Sequence, residues 1–510
     1  MLPRNPKCFA TSLSLLPIRL LNGWMILLLA ALGWSPVSST GAEDKNEIRT
    51  WTSYEGTVLT ASFVSSDGTD VTLDRRNGSD PVTIPIERFT FEDQVFVAGM
   101  EALQRGASPA VAWPDKVAIP AIQVVKKHAR DFVTENFSFL CELDTGEEFV
   151  QEAATYFEGT LAAIRALPFD LRAEPPAGWQ QFVVTFGQRT SIEDLIAAGP
   201  RPHPAQPLLA GYIGEHRQIV VPYDSIEGRT REGLPGLKLR EDFGLLIHEI
   251  THQVIDNTLT ILPYWISDGL AEYMSVVPMK DGAFHFSRTE VEARLKKVLK
   301  DRYSQSSLEI MHPRDLMHPL SGKVWTNDVD GQIAALLTVY YLIHLQNPDS
   351  PGESITTAVH ILRTIDDRAW DLIEEYNTAL EDATPAIEKY RGDLERYQKK
   401  VLAYNKRVNA VRQGKPVLVE GSGAEGGRVV VGGGLTAPPV APTLPKLPDI
   451  LEHRRAKALE VGDFSLPLTV RALLKGRSYE QFADDMKAAY AEIGLTVAIR
   501  PAEAKRGAAP

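Results

Sequence analysis

The chain has 510 residues, 44% of them hydrophobic and 24% charged, the composition of a soluble globular protein with about two to four domains. Its net charge is −12, and removal of residues 1–42, which hold Arg4, Lys7 and Arg19 but no acid, takes it to −15. That acidity argues against nucleic acid or anionic lipid as the main partner. The two cysteines are Cys8 and Cys141, so a chain shortened at Ala42 has no intramolecular disulfide, and Cys141 reads as a small buried hydrophobe.

Residues 1–42 read as a signal peptide. A basic leader runs into the apolar stretch Trp24–Trp34, and the small residues Ser38 to Ala42 suit cleavage after Ala42. The apolar stretch is short for a membrane span. The expected location is therefore exported: periplasmic, cell-surface or secreted.

Residues 43–105 are strand-rich. Val58–Val64, Val71–Leu73 and Val82–Ile86 are short runs of β-branched and aromatic residues, separated by Asp-Gly and Asn-Gly turn signals. The Trp51 start, these turns and the closing FTFEDQ at 89–94 resemble the SH3-like Sla-homology domain of exported bacterial proteins. The resemblance implies a small β-barrel and a cell-envelope or protein partner. A linker at 106–121, with Pro109, Trp113, Pro114 and Pro120, follows.

From 122 onward strand and helix patterns alternate. Phe137–Leu143 and Trp179–Phe186 read as strands, Glu147–Leu167 and Ser191–Ala198 as helices, and Gly211–Tyr223 as one further strand. His216, within that strand, reads as surface polar. Next comes HEITH at 248–252 inside an apolar helical run. Its two histidines lie one turn apart on one face, where they can share a Zn²⁺, with Glu249 beside a water on the metal. The segment PYWISDGLAEY follows, with Asp268 and Glu272 spaced i,i+4. If the two segments form a helix hairpin turning near Thr260, His252 and Asp268 are equidistant from the turn, as are His248 and Glu272. Each histidine then has a carboxylate at its own level. One carboxylate can ligate the metal and the other can orient a histidine.

HEITH followed by W-I-S-D-G-L-A-E-Y resembles the gluzincin metallopeptidases, the thermolysin- and aminopeptidase-like group, and in particular exported bacterial members with H-E-x-x-H before W-L-x-E-G-L-A-E-Y. The resemblance implies an α+β, zincin-like catalytic domain over 122–380 and an exported zinc peptidase acting on peptide or protein substrates. It implies Glu249 as general base, His248, His252 and Asp268 as metal ligands, and Glu272 as support for His248 or as the alternative ligand. This chain has Asp where the family has Glu. The resemblance also makes 211–223 the substrate-binding strand, with Gly211 and Tyr212 as candidate contacts. It places an oxyanion-stabilising group in the later half, where Tyr340, Tyr341 and His344 are candidates, Tyr340 first.

His285, His312 and His318 lack metal spacing, and Ala334–Leu345 reads as a buried helix. In the 381–413 helix, Ile387, Tyr390, Leu394, Tyr397, Val401, Tyr404, Val408 and Val411 repeat at spacings of 3 and 4, a coiled-coil pattern open to self-association or to folding back on its own chain. Residues 414–448 are a Gly/Pro-rich linker, and 449–510 return to amphipathic helix. The stretch at 473–482, L-L-x-G-x-S-x-x-x-F, resembles the end of related peptidase domains. The coiled coil and linker are then an insertion, and the last helices are expected to pack on the catalytic unit. The competing function is a non-catalytic surface or periplasmic binding protein on a degenerate peptidase fold.

Overall fold

The computed structural model of the chain describes residues 48–502 apart from 76–77, 107–111, 170, 177, 193–209, 215, 224–226, 230–234, 238–242, 260–261, 304–307, 318–328, 416, 420–427, 431–436 and 447–460. The signal segment 1–42, Thr260, His318, and parts of the 191–198 helix, the 414–448 linker and the C-terminal tail lie outside the described residues.

The N-terminal region is an antiparallel meander, β1 (Ile48–Thr52), β2 (Val58–Ser66), β3 (Asp70–Asp74) and β4 (Val82–Pro85), followed by helix α1 (Phe91–Arg105). The Asp-Gly signal does make the β2–β3 turn. Asp67 Oδ1 accepts from the Thr69 and Asp70 amides at 2.9 and 2.7 Å, and Gly68 takes φ +90°, a conformation glycine adopts without strain. The expected closed barrel does not form. β1 and β4 stay at opposite edges of the sheet; Phe89 makes only an isolated antiparallel bridge to Ser53, and FTFEDQ then enters the first turn of α1. Buried Asp93 accounts for this, because its carboxylate accepts the Thr52 amide at 2.7 Å and pairs with Arg49 at 2.6 Å. The helix therefore covers the sheet, over a core containing Trp51, Phe89 and Phe91.

β5 (Lys116–Ala118) pairs with Ala283–His285. The main sheet comprises β6 (Val125–His128), β7 (Asp131–Val133), β8 (Phe137–Cys141), β9 (Phe182–Gly187), β10 (Gly211–Ile213) and β11 (Gln218–Pro222), in the order β10-β11-β9-β8-β7-β6. β8, β9 and β11 run parallel and the outer strands antiparallel. Helix α2 (Glu147–Ala166) makes the β8–β9 crossover that a parallel pair requires. Glu158 on α2 is buried yet satisfied, accepting from Thr134 Oγ1, the Asn136 amide and Asn136 Nδ2 at 2.6, 2.9 and 2.8 Å. The single strand expected over 211–223 is instead a hairpin. It turns between Gly214 and Arg217, with Arg217 at φ +49°, and leaves three-residue β10 as the sheet's edge.

Past the sheet the chain is mainly helical: α3 (Gly244–Val254), α4 (Tyr264–Val276), α5 (Arg288–Tyr303), α6 (Val329–Tyr340), α7 (Glu353–Arg412), α8 (Val461–Leu474) and α9 (Tyr479–Glu492). α6 runs into a π turn at Tyr341–Leu345, so the helix expected at 334–345 begins earlier and ends wider. The C-terminal helices join this unit through Tyr490 Oη to Leu337 O at 2.6 Å, Arg477 Nη1 to Tyr341 Oη at 3.1 Å and Gln346 Nε2 to Leu473 O at 3.1 Å. Val497–Ile499 adds a parallel strand to Leu308–Ile310. The heptads at 387–411 are the second half of the 60-residue α7, whose buried residues end at Ala383. The whole is a mixed α+β fold. Among the described residues no helix is long and apolar enough to cross a membrane.

Asp93→Ala removes the acceptor of the Thr52 amide and one partner of Arg49. The expected loss is about 1–3 kcal/mol, with a smaller loss for Asp93→Asn, which keeps one acceptor. Urea midpoints of the two variants measure it.

Candidate metal and catalytic site

Helix α3 carries HEITH, held down by buried Leu246, Ile247, Ile250 and Val254. Thr251, fully buried, donates its hydroxyl to Ile247 O at 2.8 Å. Gln253 donates to Val183 O on β9 at 2.7 Å and so ties the helix to the main sheet. With these residues on the packed side, His248 and His252 share the other face, as the helical period requires. Their rings meet edge-on at 4.8 Å and their Nε2 atoms approach to 3.1 Å.

Helix α4 brings the carboxylates. Asp268 Oδ1 lies 3.3 Å from His252 Nε2, and Glu272 Oε1 lies 3.2 Å from His248 Nδ1. These are the two pairs that equal distance from the turn requires. They differ in chemistry, however. Asp268 faces the Nε2 atom that His252 also turns toward His248, whereas Glu272 sits at the opposite nitrogen of the His248 ring. Glu272 is 3% exposed and stands in ion-pair contact with Nδ1. Burial works against a charge on His248, but Glu272, with Glu249 and Asp268 beyond it, outweighs burial and raises its pKa to about 9.

Among the described residues no group of three or more His, Cys, Asp or Glu side chains is drawn tightly enough to hold a metal ion as it stands. The donors nevertheless suit one. Ligands held at 2.0–2.1 Å in a tetrahedron lie roughly 3.3 Å apart, and the two edges His248–His252 and His252–Asp268 are 3.1 and 3.3 Å. A buried imidazole nitrogen with a carboxylate behind it is also how metal-binding histidines are commonly oriented. By residue type and by these two edges, His248, His252 and Asp268 are the candidate donors for a zinc-like ion, and Glu272 stands behind His248.

The position of α4 depends on Gly269. A Cβ there would lie 2.5 Å from Val339 Cγ2 and 2.9 Å from the backbone oxygen of Ala335 on α6. The glycine after Asp268 thus lets α4 press against α6 while its acidic residues face α3.

Glu249 is half-buried, and its Oε2 accepts the Tyr212 amide at 2.8 Å. Gly211 and Tyr212 therefore stand at the site, on the outer edge of the sheet. The Tyr212 phenol donates to Asp256, which pairs with Arg217 at 3.6 Å. The sequence reading missed Asp256, Arg217 and Gln253, although Asp256 follows His252 by four residues and so continues its helix face. The later-half candidates stand elsewhere. Tyr340 is fully buried against Tyr490 and His344, and Tyr341 accepts from Arg477. His344 shares a 2.9 Å hydrogen bond with Tyr273, and burial lowers its pKa to about 3. His285 bonds Glu290 at 3.0 Å and His312 caps a short helix, both structural roles; His216 is exposed.

Compared with protein-family models, curated proteins and solved structures, the chain finds no match.

Gly269→Ala is expected to lower stability by about 1–3 kcal/mol, because the added methyl meets backbone. Gly392→Ala, at a helical position with nothing within 4 Å, is its control and is expected to be neutral or stabilising. Thermal midpoints of the two variants separate close packing from helix propensity.

Proposed function

We propose that this chain is an exported zinc peptidase with a zincin-like catalytic unit, hydrolysing peptide bonds in a peptide or protein substrate. The observation that carries the proposal is the meeting of His248 Nε2, His252 Nε2 and Asp268 Oδ1 beside Glu249, under an edge strand. The likeness of HEITH and WISDGLAEY to gluzincin sequences supports it, as does the antiparallel β10 lying next to the HEITH helix.

His248, His252 and Asp268 would hold the zinc, and Glu272 would hold His248. When bound, zinc supplies a Lewis acid that polarises a carbonyl and lowers the pKa of water to about 7. Glu249 takes the proton from the attacking water and returns it to the leaving amine. Glu272, buried at His248 Nδ1, keeps the ring turned so that Nε2 faces the donor cluster. β10 is the outermost strand of its sheet, and with its Tyr212 amide taken by Glu249 an extended substrate can pair only with the edge backbone that this bond leaves open.

The protein lacking residues 1–42 is expected to purify with one zinc per chain and to cleave a mixed peptide pool. Glu249→Gln keeps the metal and loses about 10²–10⁴-fold in turnover. Asp268→Ala loses more zinc than Glu272→Ala, for which the expected loss of affinity is about 10–100-fold. A zinc-free wild type, or equal turnover by wild type and Glu249→Gln, overturns the proposal. Peptide binding without turnover would then favour the binding-protein alternative.

A further inference from the structure

We infer that Tyr212 and Asp256 form a latch that positions Glu249. The inference rests on the peptidase reading for its kinetic consequence, but the latch itself is a property of the fold. In the β10–β11 register Tyr212 lies opposite Ile219, and its amide turns outward to Glu249 Oε2 at 2.8 Å. A three-residue edge strand cannot hold that amide in place alone, since one neighbour and three pairs define it. The second anchor is the phenol, which donates to Asp256 in the one-turn helix directly after α3.

Asp256 has 14% of its side chain exposed and is steadied by Arg217, a residue of the β10–β11 turn. Burial, with the neighbouring Asp256 carboxylate, raises the Tyr212 pKa, so the phenol remains a donor. The result is a closed ring of contacts: α3 carries Glu249, the helix end carries Asp256, and Tyr212 bonds both through different atoms. With Oε2 tied to the Tyr212 amide, the other Glu249 oxygen is left to move protons. Misplacing a reacting group by about 1 Å can cost on the order of 10²-fold in rate. Tyr212 and Asp256 are thus positioning residues for the base.

The test uses the chain lacking residues 1–42 and its variants Tyr212→Phe, Asp256→Ala, Asp256→Asn and Glu249→Ala. In wild type the Tyr212 amide should resist hydrogen exchange. That protection should fall at least about tenfold in Tyr212→Phe, Asp256→Ala and Glu249→Ala, and be largely kept in Asp256→Asn, which retains an acceptor. This readout needs no activity, so unchanged protection sinks the latch whatever the chain catalyses. In the active enzyme, kcat should fall about 10–100-fold in Tyr212→Phe and Asp256→Ala, with KM and zinc content held and with Asp256→Asn restoring most of the rate. A rise in KM at constant kcat, or loss of zinc, would overturn positioning in favour of substrate binding or support of the metal site. A wild type without zinc or turnover removes the peptidase reading and leaves the exchange result to decide the latch.

A different observation carries a second inference: the outer half of α7 and residues 437–446 form a helix–polyproline hairpin within one chain. α7 continues past its last buried residue, Ala383, to Arg412, about 44 Å at helical rise. The chain must come back, because α8 packs on α1 and α7, with Leu468 beside Gly99 and Ile365. Residues 437–446 suit that return, since ten residues of polyproline conformation span about 31 Å. Pro439, Pro442 and Pro445 are half-buried, one per polyproline turn, while Val440 and Leu444 between them are 90% and 66% exposed. Tyr390, Tyr397 and Tyr404 are half-buried on the helix at a spacing of seven. Seven helical residues rise about 10.5 Å and three polyproline residues about 9.3 Å, so rings and prolines can interleave. The heptad stripe is then used inside the chain.

Replacing Pro439, Pro442 and Pro445 together with Ser should speed amide exchange across 385–412 at least about tenfold and leave the protein monomeric by mass photometry. Unchanged exchange there, or a wild-type dimer whose exchange in this segment depends on concentration, would overturn the hairpin.

Discussion

The close approach of α4 to α6 at Gly269 is the constraint on which the site depends. A side chain at that position would strike the backbone of Ala335, so only glycine lets α4 sit deep enough. From there α4 turns Asp268 and Glu272 toward α3, whose own position is set by Gln253 on the main sheet. Two histidines and two carboxylates then meet without either helix being distorted. Gly269 and Glu272 lie three residues apart on neighbouring parts of the α4 surface, so the packing contact and the position of the carboxylates are set together.

Three buried polar side chains act as joints of the molecule, each bonding backbone of a different element. Asp93 joins α1 to β1, Glu158 joins α2 to the β7–β8 turn, and Gln253 joins α3 to β9. An unpaired buried polar group costs about 1–3 kcal/mol, so such joints define one arrangement among the many that apolar packing allows. Glu249 is the exception in kind. It too accepts an amide from another element, but it is only half-buried, at the edge of the sheet. With Oε2 held by the Tyr212 amide, its other oxygen is left for other partners, and that suits a group proposed to move protons.

Local pattern carried far where the physics is local. The 3.6-residue period put His248 with His252 and Asp268 with Glu272, and the Asp67-Gly68 turn was visible from its residue types. It failed where a remote partner decided the outcome. FTFEDQ reads as the closing segment of a barrel, but only Phe89 bridges to Ser53, and from Phe91 the segment is helical, with Asp93 bonding partners in β1 over forty residues earlier. The strand over 211–223 divides because Gly214 to Arg217 make a turn. Tyr340 and His344 are candidates on a helix that reads as buried, and the fold buries both, Tyr340 against Tyr490 and His344 against Trp113 and Tyr273.

What the amino-acid order determined by itself was the spacing of the candidate donors: two imidazoles one turn apart and two carboxylates one turn apart, at matching levels. Those follow from helix geometry, which each segment satisfies alone. Only the tertiary structure decided which carboxylate faces which nitrogen, with Asp268 at His252 Nε2 and Glu272 behind His248 at Nδ1. Only it brought Tyr212 over Glu249 and against Asp256. Helix rotation, edge-strand register and the depth allowed by Gly269 set those contacts, and each is fixed by residues far away in the chain.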